Sequence, residues 1–248
     1  MIGIIGGVGP YAGLDLMKKI FDITLANKDQ DHLPVIMISV PHRIVDRTEF
    51  LLGRTQINPG EVLSELACKL VDAGAQFIGI PCNTAHVPKI FNIIRDRLDG
   101  YKSNVILVNM IDEVGKYINE FHNEVRKVGV LSTTGTLKTN IYPNLLKYYE
   151  IESIQVDNEI QNNCVQPAIY DPIYGIKSHG NPISKRAHED LLTSAMHLIR
   201  KGAEAIILGC TEIGLSITDN NIENAVILDS TKILARALIK LVDPKKLR

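Results

Sequence analysis

The chain has 248 residues, of which 45% are hydrophobic and 22% charged, a composition of an ordinary globular protein rather than a disordered or fibrous one. This length can bury a sizeable core as one large domain or two modest ones. With 27 Lys and Arg against 28 Asp and Glu, no basic excess points to a nucleic-acid surface, while small anionic ligands stay open through local cations.

Short β-rich apolar runs alternate with longer amphipathic stretches. The first run, 2–5, has no Lys or Arg before it, so no signal peptide is expected. Helical spacing follows at Leu14, Met17, Ile20 and Phe21, then a second run over 35–40. A helix is predicted over 60–73 from Val62, Leu63, Leu66 and Leu70, and it leads into a run at 77–80. Further runs lie at 105–108, 128–131 and 154–156. A helix marked by Leu191, Leu192, Ala195, Leu198 and Ile199 then precedes runs at 205–208 and 225–228. The alternation reads as βαβ units with parallel strands under helices, where ligands gather beyond the C-terminal strand ends. No segment approaches 18 consecutive apolar residues, so no membrane span is expected.

The chain also resembles itself. Ala73-Gly-Ala-Gln-Phe-Ile-Gly-Ile-Pro-Cys82 aligns with Lys201-Gly-Ala-Glu-Ala-Ile-Ile-Leu-Gly-Cys210 at an offset of 128 residues. Val128-Gly-Val-Leu-Ser-Thr-Thr-Gly135-Thr136 echoes Ile2-Gly-Ile-Ile-Gly-Gly-Val-Gly9-Pro10 at an offset of 126. Two matches at nearly one offset point to duplicated halves, each with a thiol at a strand end, divided between Asn109 and Lys127.

Four cysteines, Cys68, Cys82, Cys164 and Cys210, show neither a C-x-x-C pair nor zinc-ligand spacing. Cys68 on the 60–73 helix and Cys164 in a predicted helix read as packing residues. Cys82 and Cys210 each end a strand and precede polar residues, which places them where a parallel sheet meets ligand. Cys82 with His86 could form a nucleophile pair, but acyl transfer would leave the echo at Cys210 unexplained. Those two residues make an incomplete metal set, and a disulfide is disfavoured in a reducing compartment. Two matched thiols suit a reaction that takes a proton from one face of a carbon and returns one to the other, with His86 and Glu212 expected to poise them.

Gly3-Ile-Ile-Gly-Gly-Val-Gly-Pro10, Pro81-Cys-Asn-Thr-Ala-His86 and Leu208-Gly-Cys-Thr-Glu-Ile213 together resemble the aspartate/glutamate racemase family, most closely its aspartate racemase branch. Asp46-Arg47-Thr48, Ser132-Thr-Thr-Gly-Thr136, Ile176-Lys177 and Asp229-Ser-Thr231 fall in the family's order, so the likeness spans the chain. It implies two similar α/β domains with mainly parallel four-stranded sheets flanked by helices, related by a pseudo-twofold duplication. Their expected limits are 1–111 with 226–248, and 112–225. It further implies a cofactor-independent, metal-free two-thiol racemase, a site between the domains and a homodimer. Carried over residue by residue, Cys82 and Cys210 transfer protons, and Arg47 and Lys177 hold the substrate's side-chain carboxylate. A dicarboxylate needs such partners on general grounds too. Gly9, Pro10, Asn83, Thr84, Thr211, Thr133, Gly135 and Thr136 fall where the family binds the substrate, although Ser, Thr and Asn at turns also serve as caps.

The first loop departs from the family's Gly-Gly-Met-Gly-Pro by carrying Val8, then Ala12-Gly13. The Asp-Ser that glutamate racemases carry after the first strand is missing, and Glu212 stands where they place His, so aspartate is preferred over glutamate. Gly7-Val-Gly9-Pro-Tyr-Ala12 also fits a dinucleotide-binding fingerprint. Against that stand Pro10, which lacks an N–H, and Ser39-Val-Pro-His42 at the end of the second run, where an acidic residue would hold ribose. A broad-specificity racemase, a small-acid isomerase and a two-lobed acidic-ligand binder remain as alternatives. A small dicarboxylic amino acid as ligand, no nucleic-acid or membrane partner, and a cytoplasmic location are expected.

Overall fold

Strands buried on both faces draw on Ile, Val and Leu without alternation, and the first run, Ile-Gly-Ile-Ile, is fully buried along its length. In the computed structural model, which describes residues 1–101 and 104–248, this run is β1 (Ile2–Ile5). After it come α1 (Pro10–Asp22), β2 (Val35–Ile38), α2 (Arg47–Leu51), α3 (Pro59–Asp72) and β3 (Phe77–Gly79). Next are α4 (Pro88–Tyr101), β4 (Ile106–Leu107) and α5 (Met110–Phe121). The second half holds β5 (Lys127–Leu131), α6 (Thr134–Lys138), α7 (Ile141–Tyr148), β6 (Glu152–Gln155), α8 (Asn158–Ile160) and α9 (Gln166–Tyr170). It continues through α10 (Lys185–Arg200), β7 (Ala205–Leu208), α11 (Ile213–Ser216), β8 (Asn221–Ile222) and β9 (Ala225–Asp229) to α12 (Ser230–Val242). Two compact units result, Met1–Glu113 with Thr231–Arg248, and Val114–Ser230.

The first unit carries a parallel sheet ordered β2-β1-β3-β4, and the second a sheet ordered β6-β5-β7-β9-β8. Up to β9 the two orders are equivalent. The second sheet is mixed, because β8 pairs antiparallel with β9 as a fifth, edge strand; two residues carry no periodicity for a sequence reading to find. The register repeats as well, with Ile2 opposite Phe77 and Val128 opposite Ala205, the pairs that the two offsets relate.

Packing on the central strands repeats in the same way. A Cβ at Gly3 would lie 2.8 Å from Ala75 Cβ and 3.4 Å from Leu70 Cβ. One at Gly129 would lie 3.2 Å from Ala203 Cβ and 3.0 Å from Leu198 Cβ. In both units glycine lets a helix and the turn after it settle directly on the middle strand. Helix α1 departs from its expected face: Ala12, Leu16 and Ile20 are buried, whereas Leu14 and Phe21 are exposed. Helix α12 supplies Leu234, Leu238 and Ile239 to the same core as Ile2, Ile4 and Leu16. Cys68 is buried on α3 and Cys164 is partly buried, and all four cysteines are free thiols.

Candidate active site

In the first unit, polar groups collect beyond the C-terminal ends of β1 and β3. The loop after β1 turns on Gly7 and Gly9, at φ 78° and 133°, and Pro10 opens α1 with Gly9 as its cap. Pro10 thereby removes an N–H at the place where a dinucleotide phosphate would be cradled. Arg47 opens α2, behind the Asp46 cap whose side chain accepts the Glu49 N–H at 3.1 Å. Its side chain is buried, and Nη2 donates to the Val8 carbonyl at 2.9 Å. The guanidinium therefore braces the β1 loop from inside rather than standing as a solvated surface charge.

Beyond β3 the backbone turns sharply, with the Cys82 N–H donating to the Ile80 carbonyl two residues back at 2.8 Å. Cys82 is buried and caps a 3-10 turn, Asn83–His86, all four residues of which are buried. His86 Nε2 lies 3.1 Å from the same Ile80 carbonyl; a carbonyl only accepts, so Nε2 carries the hydrogen and donates. Nδ1 is buried without a hydrogen-bond partner, and the ring stacks at 5.0 Å on Phe91. Burial holds the imidazole pKa down to about 4, so His86 is neutral near pH 7. It shapes the turn that carries Cys82 and brings no cation to the thiol.

The second unit builds a different neighbourhood around Cys210, which is also buried. The Cys210 thiol donates to Glu212 Oε2 at 3.1 Å, and the Thr211 hydroxyl donates to the same oxygen at 3.2 Å. Glu212 Oε1 accepts from Lys177 Nζ at 3.0 Å, and that ammonium lies 5.1 Å above the Tyr170 ring. Three donors thus compensate a carboxylate that burial would otherwise penalise. Desolvation first, and the Glu212 charge second, raise the Cys210 pKa well above that of an ordinary thiol, with Lys177 pulling the other way. Cys210 therefore rests as a thiol aimed at a carboxylate. Lys177, expected against a substrate carboxylate, is paired within its own unit.

The Ser132–Thr136 turn follows β5. Thr133 caps α6, its hydroxyl accepting the Thr136 N–H at 3.3 Å, and the two hydroxyls lie 3.2 Å apart. Ser132, Thr133, Gly135 and Thr136 are buried. Three features lie outside the sequence reading. Ser230 donates to the Leu208 carbonyl at 2.8 Å, Tyr142 is buried and hydrogen-bonded to Ser230, and Gln161 with Gln166 grips Thr134. For Ser230 a signal existed in its place within Asp229-Ser-Thr231. The glutamines had none beyond a Gln-Pro step inside a helical pattern.

Among the described residues, no helix is long and apolar enough to cross a membrane. No group of three or more His, Cys, Asp or Glu among them is placed to hold a metal ion.

A family model described as Asp/Glu/Hydantoin racemase matches residues 5–238. The broad specificity amino-acid racemase RacX of Bacillus subtilis (strain 168) is 28% identical over 246 residues, 96% of either chain. Among solved structures, the Picrophilus torridus aspartate racemase superposes with a TM-score of 0.79 at 28% identity, covering 97% of this chain and 93% of the other. An aspartate racemase homologue from Pyrococcus horikoshii OT3 gives 0.72 at 26% identity, with 97% of each chain covered.

Proposed function

Since this chain belongs to the Asp/Glu/Hydantoin racemase family, we propose that it interconverts the enantiomers of an acidic amino acid, aspartate before glutamate, without pyridoxal phosphate. The observation that carries this reading is the pair of buried thiols, Cys82 and Cys210, at equivalent strand ends of two sheets that share one order over four strands. Inversion at the α carbon needs a base on one face and an acid on the other. Cys82 as thiolate takes the α proton, breaking C–H and forming S–H, and Cys210 gives its thiol proton to the opposite face of the carbanion. In the reverse direction Cys210 must start as the thiolate. The forward step leaves it in that form, and Glu212 Oε2, which accepts the Cys210 S–H at 3.1 Å before transfer, orients the thiol while Lys177 on the other oxygen offsets the negative charge beside it.

Arg47 is the proposed partner of the substrate's side-chain carboxylate, since a guanidinium offers two parallel donors. Lys177 serves the same end from the second unit, shared with Glu212. Gly9, Pro10, Asn83, Thr84, Thr211, Thr133, Gly135 and Thr136 are proposed to seat the α-carboxylate and ammonium. The protein is further proposed to work as a cytoplasmic homodimer. A broad-specificity racemase is the second reading, favoured by full-length similarity to the Bacillus subtilis protein and by the engagement of Lys177 with Glu212.

Incubation with L-aspartate in deuterated water, with no added cofactor, should yield D-aspartate bearing deuterium at the α carbon. If neither handedness nor isotope changes across acidic, neutral and basic amino acids, the racemase reading fails. Turnover of neutral or basic amino acids at rates near that of aspartate selects the second reading.

A further inference from the structure

One wide turn interrupts the helical stretch from α8 to α9. Residues Gln161–Val165 form a π turn, which the Gln166 N–H closes by bonding the Gln161 carbonyl five residues back. The cause is local, because Pro167 follows; it has no N–H, and its ring crowds the carbonyl four residues earlier, so the regular ladder cannot run through. In a regular α-helix, residues five apart point about 140° away from each other. A turn closed over five residues brings them to one face.

Gln161 and Gln166 are that pair, and they meet the same target. Gln161 Nε2 donates to the Ser132 carbonyl at 3.1 Å and to Thr134 Oγ1 at 3.3 Å. Gln166 Oε1 accepts the Thr134 N–H at 2.9 Å and the Thr134 hydroxyl at 3.1 Å. The hydroxyl thus accepts from one glutamine and donates to the other, so the chain of donors has one direction. Gln161 itself is 4% exposed, which makes an unsatisfied replacement costly. Thr134 lies between Thr133 and Gly135, in the turn proposed above to seat the substrate.

We infer that Gln161 and Gln166 are positioning residues, which hold the Ser132–Thr136 turn in its substrate-binding shape and so set KM without taking part in proton transfer. The inference rests on the racemase reading. For Gln161→Leu and Gln166→Leu, aspartate racemisation should show KM raised about tenfold in each, with kcat within about twofold, in both directions. The double variant should be no more than about twofold worse than either single one, since both act through Thr134. Gln166→Glu keeps the acceptor oxygen and should recover KM to within about threefold of the wild type. Unchanged KM in the single variants, or a fall in kcat at constant KM, overturns the inference. Should Gln161→Leu not fold, Gln166→Leu and Thr134→Val carry the same comparison. A wild-type protein that racemises nothing sinks the racemase reading alone. The clamp is then decided by amide exchange at Thr134, which should quicken at least about tenfold in Gln166→Leu, and an unchanged rate there rejects it.

Discussion

Two residues before Cys82, the Ile80 carbonyl is held by His86 at 3.1 Å; two residues before Cys210, the Leu208 carbonyl is held by the Ser230 hydroxyl at 2.8 Å. The donors come from different places, one from the turn just beyond the cysteine and the other from the first residue of α12. Each side chain fixes a carbonyl at the end of its strand or one residue past it, and with it the bend that leads to the cysteine. Backbone architecture is therefore shared, while the electrostatics have diverged. The position two beyond the cysteine is Thr84 in the first unit and Glu212 in the second, and only the latter sets a carboxylate on its thiol. Two equivalent backbone mounts thus carry two thiols in inequivalent surroundings.

The largest test is whether both mounts carry chemistry. Cys82→Ser and Cys210→Ser should each reduce racemisation by about 10³-fold or more, as expected for a displaced acid-base group. A variant retaining more than about a tenth of wild-type turnover would reduce the pair to a single working thiol.

A smaller effect probes the inequivalence. Glu212→Gln removes the charge that pushes the Cys210 pKa up, so the alkaline limb of the kcat/KM profile should move to lower pH. At pH 7, kcat/KM should fall about 10²-fold. The fall must be equal in both directions, because enantiomers have the same free energy. A profile that keeps its alkaline limb would show that Glu212 does not govern Cys210.

The smallest effect separates the two carbonyl holders by stability. His86 has a folded pKa of about 4 against an ordinary 6.5, so the folded state binds fewer protons than the unfolded one between those values. Its contribution is fully present above pH 6.5 and lost as pH falls toward 4, about 3 kcal/mol across the window. Urea unfolding should show this slope in the wild type and lose it in His86→Gln. Ser230→Ala should cost about 1–2 kcal/mol at every pH, because its donor does not titrate. Parallel pH slopes for wild type and His86→Gln would contradict the buried, neutral imidazole.

Much of this could be read from residue order. Apolar runs and helical spacing are local, and a repeat offset survives whatever the chain does in space, so the strand-end places of Cys82 and Cys210 were legible. The sequence alone determined which side chains lie beyond the strand ends and that the two halves are built alike. It placed His86 beside Cys82 by chain distance, and the fold turned that ring onto a carbonyl. It treated Lys177 and Glu212 separately, although 35 residues of chain close into one ion pair. Gln161 and Gln166 share a face only because a proline widens one helical turn. Only the tertiary structure decided protonation states and partners, because a pKa depends on burial and on charges brought close by packing, and neither is a property of sequence distance.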